Sequence, residues 1–181
     1  MSTVTITAAD INKLRQMTGA GMMDCRKALT ENNGDIEAAI DWLRKKGQKV
    51  AALRGDRDAR EGVVLAKTTA DNKTGIALCV SSETDFVSKN AEFVAFAQSI
   101  MDAAISANVK SVDELNLVEI NGAKIADMVN DKLASIGEKI GISKFERIDA
   151  DFVSSYIHGA NRMGVLVGLN AAKPDAGKDV A

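Results

Sequence analysis

Apolar positions along this chain repeat at two different intervals, and the change from one to the other divides it. Up to Gly47 the spacing is helical. Thr7-Ala8-Ala9-Asp10 reads as a capping box with Asp in place of the usual Glu, opening a short helix with Ile11 and Leu14 on one side. Thr18-Gly19-Ala20-Gly21 breaks it, a second helix runs from residue 22 to about 32, and Asn33-Gly34 suits a left-handed cap. In the third helix Asp35 is the cap and Ile36, Ala39, Ile40 and Leu43 fall at i, i+3, i+4 and i+7. Gly47 closes it after Arg44-Lys45-Lys46, where cations favour the negative helix end. These helices predict a small bundle over residues 1–54, marginal alone and suited to docking.

Beyond Glu61 the period falls to two. Segments 63–69 and 75–80 flank a turn at 70–74 and predict a β-hairpin. A helix over 92–106 follows, with Phe93, Phe96, Ala97, Ile100 and Met101 as its apolar stripe. A loop around Ser111-Val112-Asp113, a helix from about 122 to 136 and a strand over 142–148 come next. A second hairpin, 152–158 with 163–170, then repeats the first. Gly75 and Gly164 stand 89 positions apart, and the same offset pairs Val63 with Phe152, Val64 with Val153, Asn72 with Asn161, Ile76 with Val165 and Leu78 with Val167. The fold class is therefore α+β: a three-helix module, then a duplicated core of antiparallel hairpins and helices. Its first copy covers 55–150, and its second, over 151–181, is expected to be incomplete.

Between the first hairpin and its helix lies Ser81-Ser82-Glu83-Thr84-Asp85-Phe86-Val87, whose Phe86 belongs to neither periodic pattern. Two readings stand: a ring folded back as a lid on its own helix, or a ring held out beside a carboxylate as a probe. The offset puts Lys173-Pro174-Asp175 in the corresponding place, so the probe is not duplicated. Met22 and Met23 pose a similar question. Neighbours on a helix point about 100° apart and cannot share a narrow core seam, so one of the two is expected outside, on a partner surface or at the bundle's edge.

Composition narrows the classes. Net charge is −2, with 27% charged and 46% hydrophobic residues, too balanced for a dedicated polyanion binder. The basic run over 44–60 reads as a linker, with RNA or an acidic protein face as the alternative. Aromatic residues make up 4%, too few for stacking platforms on single-stranded nucleic acid. The N-terminal stretch has no leader pattern and no run reaches the roughly 20 apolar residues of a membrane span, so a cytoplasmic protein is expected. Cys25 and Cys79 lack metal or redox spacing and read as two small buried thiols, with a disulfide between them as the alternative. Gly19 to Asp24 misses the dinucleotide fingerprint because Asp24 replaces its third glycine. No phosphate loop occurs, and His158 is the single histidine, without a nucleophile elbow. A binding protein without cofactor, metal or covalent chemistry of its own is expected.

Three separated stretches carry a resemblance: Thr18-Gly19-Ala20-Gly21-Met22-Met23-Asp24-Cys25-Arg26-Lys27-Ala28-Leu29 with Asn33-Gly34-Asp35; Glu83-Thr84-Asp85-Phe86-Val87-Ser88-Lys89-Asn90; and His158-Gly159 with Arg162. In this order they resemble the bacterial elongation factor Ts family. The resemblance implies a ubiquitin-associated type of three-helix module and a duplicated α+β core. It also implies exchange of GDP for GTP on elongation factor Tu, bound in its GDP and nucleotide-free forms, without direct contact to nucleic acid or membrane. Phe86, flanked by Thr84 and Val87, corresponds to a ring that enters an apolar pocket of that GTPase, and Asp85 to an acid that disturbs its magnesium site. Arg15, Met22 and Met23 correspond to positions gripping the nucleotide domain, and Ile136, Gly137 and His158 to further contacts. The coiled-coil extension and C-terminal module of longer members are missing from the sequence, and self-association is left open.

Overall fold

Local chemistry sets the first three helices. Thr7 caps α1 (Ala8–Thr18): its hydroxyl accepts from the Asp10 amide while the Asp10 carboxylate accepts from the Thr7 amide, which completes the expected box. Gly21 opens α2 (Met22–Glu31) without a side-chain cap, and Asn33 and Gly34 both take positive φ after it. Asp35 then caps α3 (Ile36–Leu53) by accepting from the Ala38 amide. Leu14, Cys25, Ala28, Leu29, Ala39 and Leu43 close a core, with Ile11, Ile36, Ile40 and Trp42 packed around it. Burial pushes the Cys25 thiol up from its ordinary value, so it stays a neutral core group. This computed structural model describes residues 5–181; the first four residues of the stretch weighed as a leader lie outside them.

The remaining elements are strands β1 (Glu61–Thr68) and β2 (Thr74–Ser82), helices α4 (Asp85–Ser88), α5 (Ala91–Ser106) and α6 (Val112–Leu117), and the short strands β3 (Glu119–Ile120) and β4 (Ala123–Lys124). Then come α7 (Ile125–Ile136), β5 (Gly141–Asp149), β6 (Phe152–His158), β7 (Met163–Leu169) and α8 (Pro174–Val180). The α+β class and both hairpins appear as the patterns predict. Several local expectations change. The loop at 111–113 is the start of α6, whose Ser111 hydroxyl accepts from the Glu114 amide. The helix expected from 122 begins at Ile125, because Asn121 and Gly122, both at positive φ, turn β3 back onto β4.

By packing, the chain forms two units. One holds the residues up to Arg57 together with Asp127–Lys139, and the other Asp58–Ala126 with Ile140–Ala181. Within the first unit, α3 does not end at Gly47 as its sequence signals imply but continues to Leu53. Gly47 is buried, and a Cβ there would lie 2.7 Å from the Cβ of Ala134 on α7. The glycine is thus a point of close helix approach rather than a stop. The Lys139 ammonium adds a second tie, donating to the carbonyls of Gly55 at 2.6 Å and Arg57 at 2.9 Å, just past the C-terminal end of α3.

In the second unit β1, β2 and β5 form an antiparallel sheet in the order β1-β2-β5. Val63, Leu65, Ile76, Leu78 and Val80 alternate onto one buried face, and α5, which packs on β1 and β2, buries Phe93, Ala97, Ile100, Met101 and Ala104. The hairpin of β6 and β7 covers the other face, and the repeat explains how. A Cβ on Gly75 would lie 2.7 Å from Val153, and one on Gly164 would lie 3.0 Å from Val64. The Val64 amide donates to the Asn161 carbonyl at 2.8 Å, and the Val153 amide to the Asn72 carbonyl at 2.6 Å. Each contact maps onto its counterpart by the offset of 89. The two copies therefore face each other reciprocally, in the manner of a two-fold interface inside one chain. The offset holds as far as the next helix, since α4 starts at Asp85 and α8 at Pro174.

Gly47→Ala improves helix propensity by about 1 kcal/mol yet forces two packed helices apart. We expect a net loss of about 1–3 kcal/mol in denaturant unfolding, recovered in the Gly47→Ala/Ala134→Gly pair. A single variant more stable than the parent would contradict this contact.

Candidate partner-binding site

Helix α4 is one turn long and gains nothing from cooperative length, so its neighbours must hold it. Ser82, fully buried at the end of β2, donates its hydroxyl to the Thr84 carbonyl at 3.0 Å. Thr84, in extended conformation, precedes the helix, and the amides of Lys89 and Asn90 bond back to the Asp85 and Val87 carbonyls at 3.0 Å. Asn90 in turn caps α5 by accepting from the Glu92 and Phe93 amides. The helix packs on β1 and β2 with Val87 half-buried, while Phe86 is 86% exposed. The ring is not a lid on its own helix.

Beside it, the Lys89 ammonium pairs with the Asp85 carboxylate at 2.6 Å, four residues along the chain. The Lys89 hydrogen bond and charge hold this carboxyl below its ordinary value, with a smaller contribution from Arg162. Its ionised form is therefore the one the fold favours. With the folded value depressed, the contribution is complete above the ordinary carboxylate range and is lost as pH falls through the folded value.

In the first unit, Arg15, Met22 and Met23 flank the turn at 18–21. The Gly19 amide donates to the Arg15 carbonyl at 2.8 Å, and the Thr18 hydroxyl to that of Leu14 at the same distance. Both methionines are exposed, Met22 by 52% and Met23 by 73%, so the expectation that one of them lies outside holds for each. Cys25, Ala28 and Leu29 form the buried stripe of α2. Met23 points away from it, and Met22 sits on the first turn of the helix, ahead of the stripe. Met17 is 57% exposed on the same turn of chain and was not singled out by sequence; nothing in its periodicity marks it. Ile136 ends α7 at the surface, and Gly137 follows at φ +78° with its amide on the Leu133 carbonyl.

The candidates thus fall into two groups. Arg15, Met22, Met23, Ile136 and Gly137 belong to one unit although more than a hundred residues separate them, because residues 127–139 return to the bundle. Thr84, Asp85, Phe86, Val87 and His158 belong to the other. His158, at the end of β6, is exposed and shares a 2.9 Å hydrogen bond with the Tyr156 hydroxyl. No cluster of His, Cys, Asp and Glu fit to hold a metal occurs among the described residues, and both thiols are free, with Cys79 half-buried. Among the same residues no helix is long and apolar enough to cross a membrane.

A family model described as Elongation factor TS matches residues 83–181, more than half of the chain, beginning just ahead of α4. The chain belongs to the elongation factor Ts family. It is 47% identical over 180 residues to Elongation factor Ts of Amoebophilus asiaticus (strain 5a2), a match covering 97% of this chain and 65% of that one. Against Elongation factor Ts of Christiangramia forsetii (strain DSM 17595 / CGMCC 1.15422 / KT0803) it is 47% identical over 165 residues, covering 91% and 60%. Against that of Flavobacterium psychrophilum (strain ATCC 49511 / DSM 21280 / CIP 103535 / JIP02/86) it is 48% identical over 167 residues, covering 92% and 60%. The chain spans about 60–65% of the length of these relatives.

Because so little of its ring is buried, Phe86→Ala should leave stability within about 0.5 kcal/mol of the parent by denaturant unfolding; a larger loss would mean the ring serves the fold. Lys89→Gln should raise the Asp85 titration midpoint, followed by carboxyl-carbon NMR, and an unmoved midpoint would remove the ion pair as its cause.

Proposed function

We propose that this chain is a guanine-nucleotide exchange factor that binds elongation factor Tu and promotes release of its GDP, without covalent chemistry of its own. The observation that carries the reading is an exposed Phe86 on a one-turn helix beneath which a buried Ser82 hydroxyl donates to the Thr84 carbonyl. A large ring kept in water with no share in its own core is suited to a crevice on another protein. Asp85 stands beside it, ionised. As the ring enters, that charge disturbs the partner's magnesium and phosphate site, and a nucleotide that loses its cation loses the charge that holds its phosphates.

Exchange is a coupling problem. The factor must bind the nucleotide-free partner more tightly than the GDP form, and GDP weakens the factor by the same amount. Each tenfold loosening needs about 1.4 kcal/mol of differential binding, whereas burying one Phe offers roughly 1.5–3 kcal/mol. The ring supplies one or two decades, and docking through Arg15, Met22, Met23, Ile136, Gly137 and His158 supplies the remainder. Exposed methionines fit that task, since their flexible, polarizable side chains conform to an apolar partner face.

The test is release of fluorescent GDP from elongation factor Tu. Phe86→Ala should slow the accelerated release at least tenfold, which is about 1.4 kcal/mol, while Met22→Ala/Met23→Ala should weaken complex formation on a sizing column run without GDP. Unchanged release by a folded Phe86→Ala protein would remove the ring from the mechanism, and a parent chain that neither binds nor accelerates release would overturn the function.

A further inference from the structure

Alternate residues of a strand share a face, so Phe152, Ser154, Tyr156 and His158 stand on one side of β6. Helix α8 covers the first two: a Cβ on Gly177 would lie 3.0 Å from each. Tyr156 is 46% exposed, and His158 also meets solvent. There the Tyr156 hydroxyl and His158 Nδ1 lie 2.9 Å apart, with the ring centroids at 5.9 Å and the planes tilted by 45°. The offset of 89 matches these two positions with Lys67 and Thr69 of the first copy. Both of those are engaged at home: the Lys67 ammonium pairs with Asp102 of α5 and the Thr69 hydroxyl donates to the Asp71 carboxylate, each at 2.6 Å. The tyrosine and histidine pair therefore belongs to the second copy alone.

The backbone at His158 is held separately. The Arg162 amide closes the turn on the His158 carbonyl at 3.1 Å, and Asn161 meets both backbone groups of Val64, its carbonyl accepting at 2.8 Å and its side-chain amide donating at 3.2 Å. Asn161 thus acts as a single rung of an added strand and ties the end of β6 to β1. What the backbone leaves open is how the imidazole is turned and which of its nitrogens carries hydrogen. The bond from Tyr156 settles both. A phenol is a strong neutral donor and an imidazole nitrogen accepts better than a phenolic oxygen, so the favoured arrangement has the hydroxyl donating to Nδ1 and the ring hydrogen on Nε2. In a protonated ring Nδ1 donates to the phenolic oxygen instead, and Nε2 keeps its hydrogen. Nε2 is a donor in either charge state, and among the described residues no group meets it.

We propose that Tyr156 is a positioning residue for partner recognition: its hydroxyl fixes the His158 ring so that Nε2–H is presented to an oxygen acceptor, a carboxylate or a carbonyl, on the GTPase. The inference rests on His158 being a contact position in the proposed function, and it gives that contact a direction. His158 serves as a donor there, and Tyr156 acts through it.

The test uses the full chain with two readouts. His158 is the single histidine, so nitrogen-15 NMR of the imidazole reports on it alone. In the free chain, at a pH above the imidazole range, the parent should carry its hydrogen on Nε2, and Tyr156→Phe, which keeps the ring and removes the hydroxyl, should move the Nδ1 signal and admit the other tautomer. Against nucleotide-free elongation factor Tu, Tyr156→Phe should weaken binding about two- to fivefold, within the range of one neutral hydrogen bond, with a parental unfolding curve. In a His158→Ala background the same change should have no further effect. His158→Gln, whose amide nitrogen reaches the place of Nε2, should bind more tightly than His158→Asn, whose amide reaches only that of Nδ1. Hydrogen on Nδ1 in the parent overturns the inference, and so does an Nδ1 signal unmoved by Tyr156→Phe or a loss of binding that persists without the histidine. A parent chain that does not bind defeats the proposed function alone, and the nitrogen spectra still decide whether the hydroxyl sets the ring.

Discussion

Two hairpins approach so closely that a Cβ at the crossing would meet a valine side chain at 2.7 Å on one side and 3.0 Å on the other. Gly75 lies against Val153, and Gly164 against Val64, each leaving less than a normal contact distance for a Cβ. Backbone amides then bond across the same junction in both directions. Everything in the second unit is arranged around this reciprocal contact. It leaves the opposite face of the first sheet for α5, which buries Phe93, Ile100 and Met101 there. It also brings the second turn to the edge strand on which α4 packs. A duplicated sequence gains an economical interface in this way, because one surface that complements its own copy serves twice.

The copies have diverged where function is proposed. In the first, the residue after the helix start is Phe86, exposed and supported by a buried serine hydroxyl; in the second the equivalent position is Asp175. The ring takes no part in holding α4, whose Lys89 and Asn90 amides bond back to its own carbonyls while Ser82 donates to the Thr84 carbonyl. That separation is what lets a large apolar group remain in water. A site that stored the ring in the core would have to break packing to use it, at a cost comparable to the binding it offers.

The bundle shows the same economy in another form. Gly47 permits α3 and α7 to touch at 2.7 Å between a would-be Cβ and Ala134, and Lys139 holds the carbonyls just beyond α3. One consequence is that residues far apart in the chain, Met22 and Ile136 among them, become parts of one packed unit. Small residues at a helix crossing thus do for the first unit what paired glycines do for the second. In both, a missing side chain is the structural feature.

Much of this was written in the chain itself. Caps at Thr7 and Asp35, the helical stripes, both hairpins and the 89-residue repeat follow from spacing, because hydrogen-bond closure and one-sided burial impose their periods on local sequence. Tertiary structure decided what spacing cannot carry. Gly47 after three cations has every mark of a helix stop, yet Ala134, far along the chain, made it a crossing point. Met22 and Met23 both face water, although Ala20 and Cys25 on either side of them are buried in the bundle core. Asn161 as a rung on β1, Ser82 as a buried support and Phe86 as an exposed ring depend on which surfaces meet. Periodicity tells which face of an element is apolar; only the folded chain settles what, if anything, covers it.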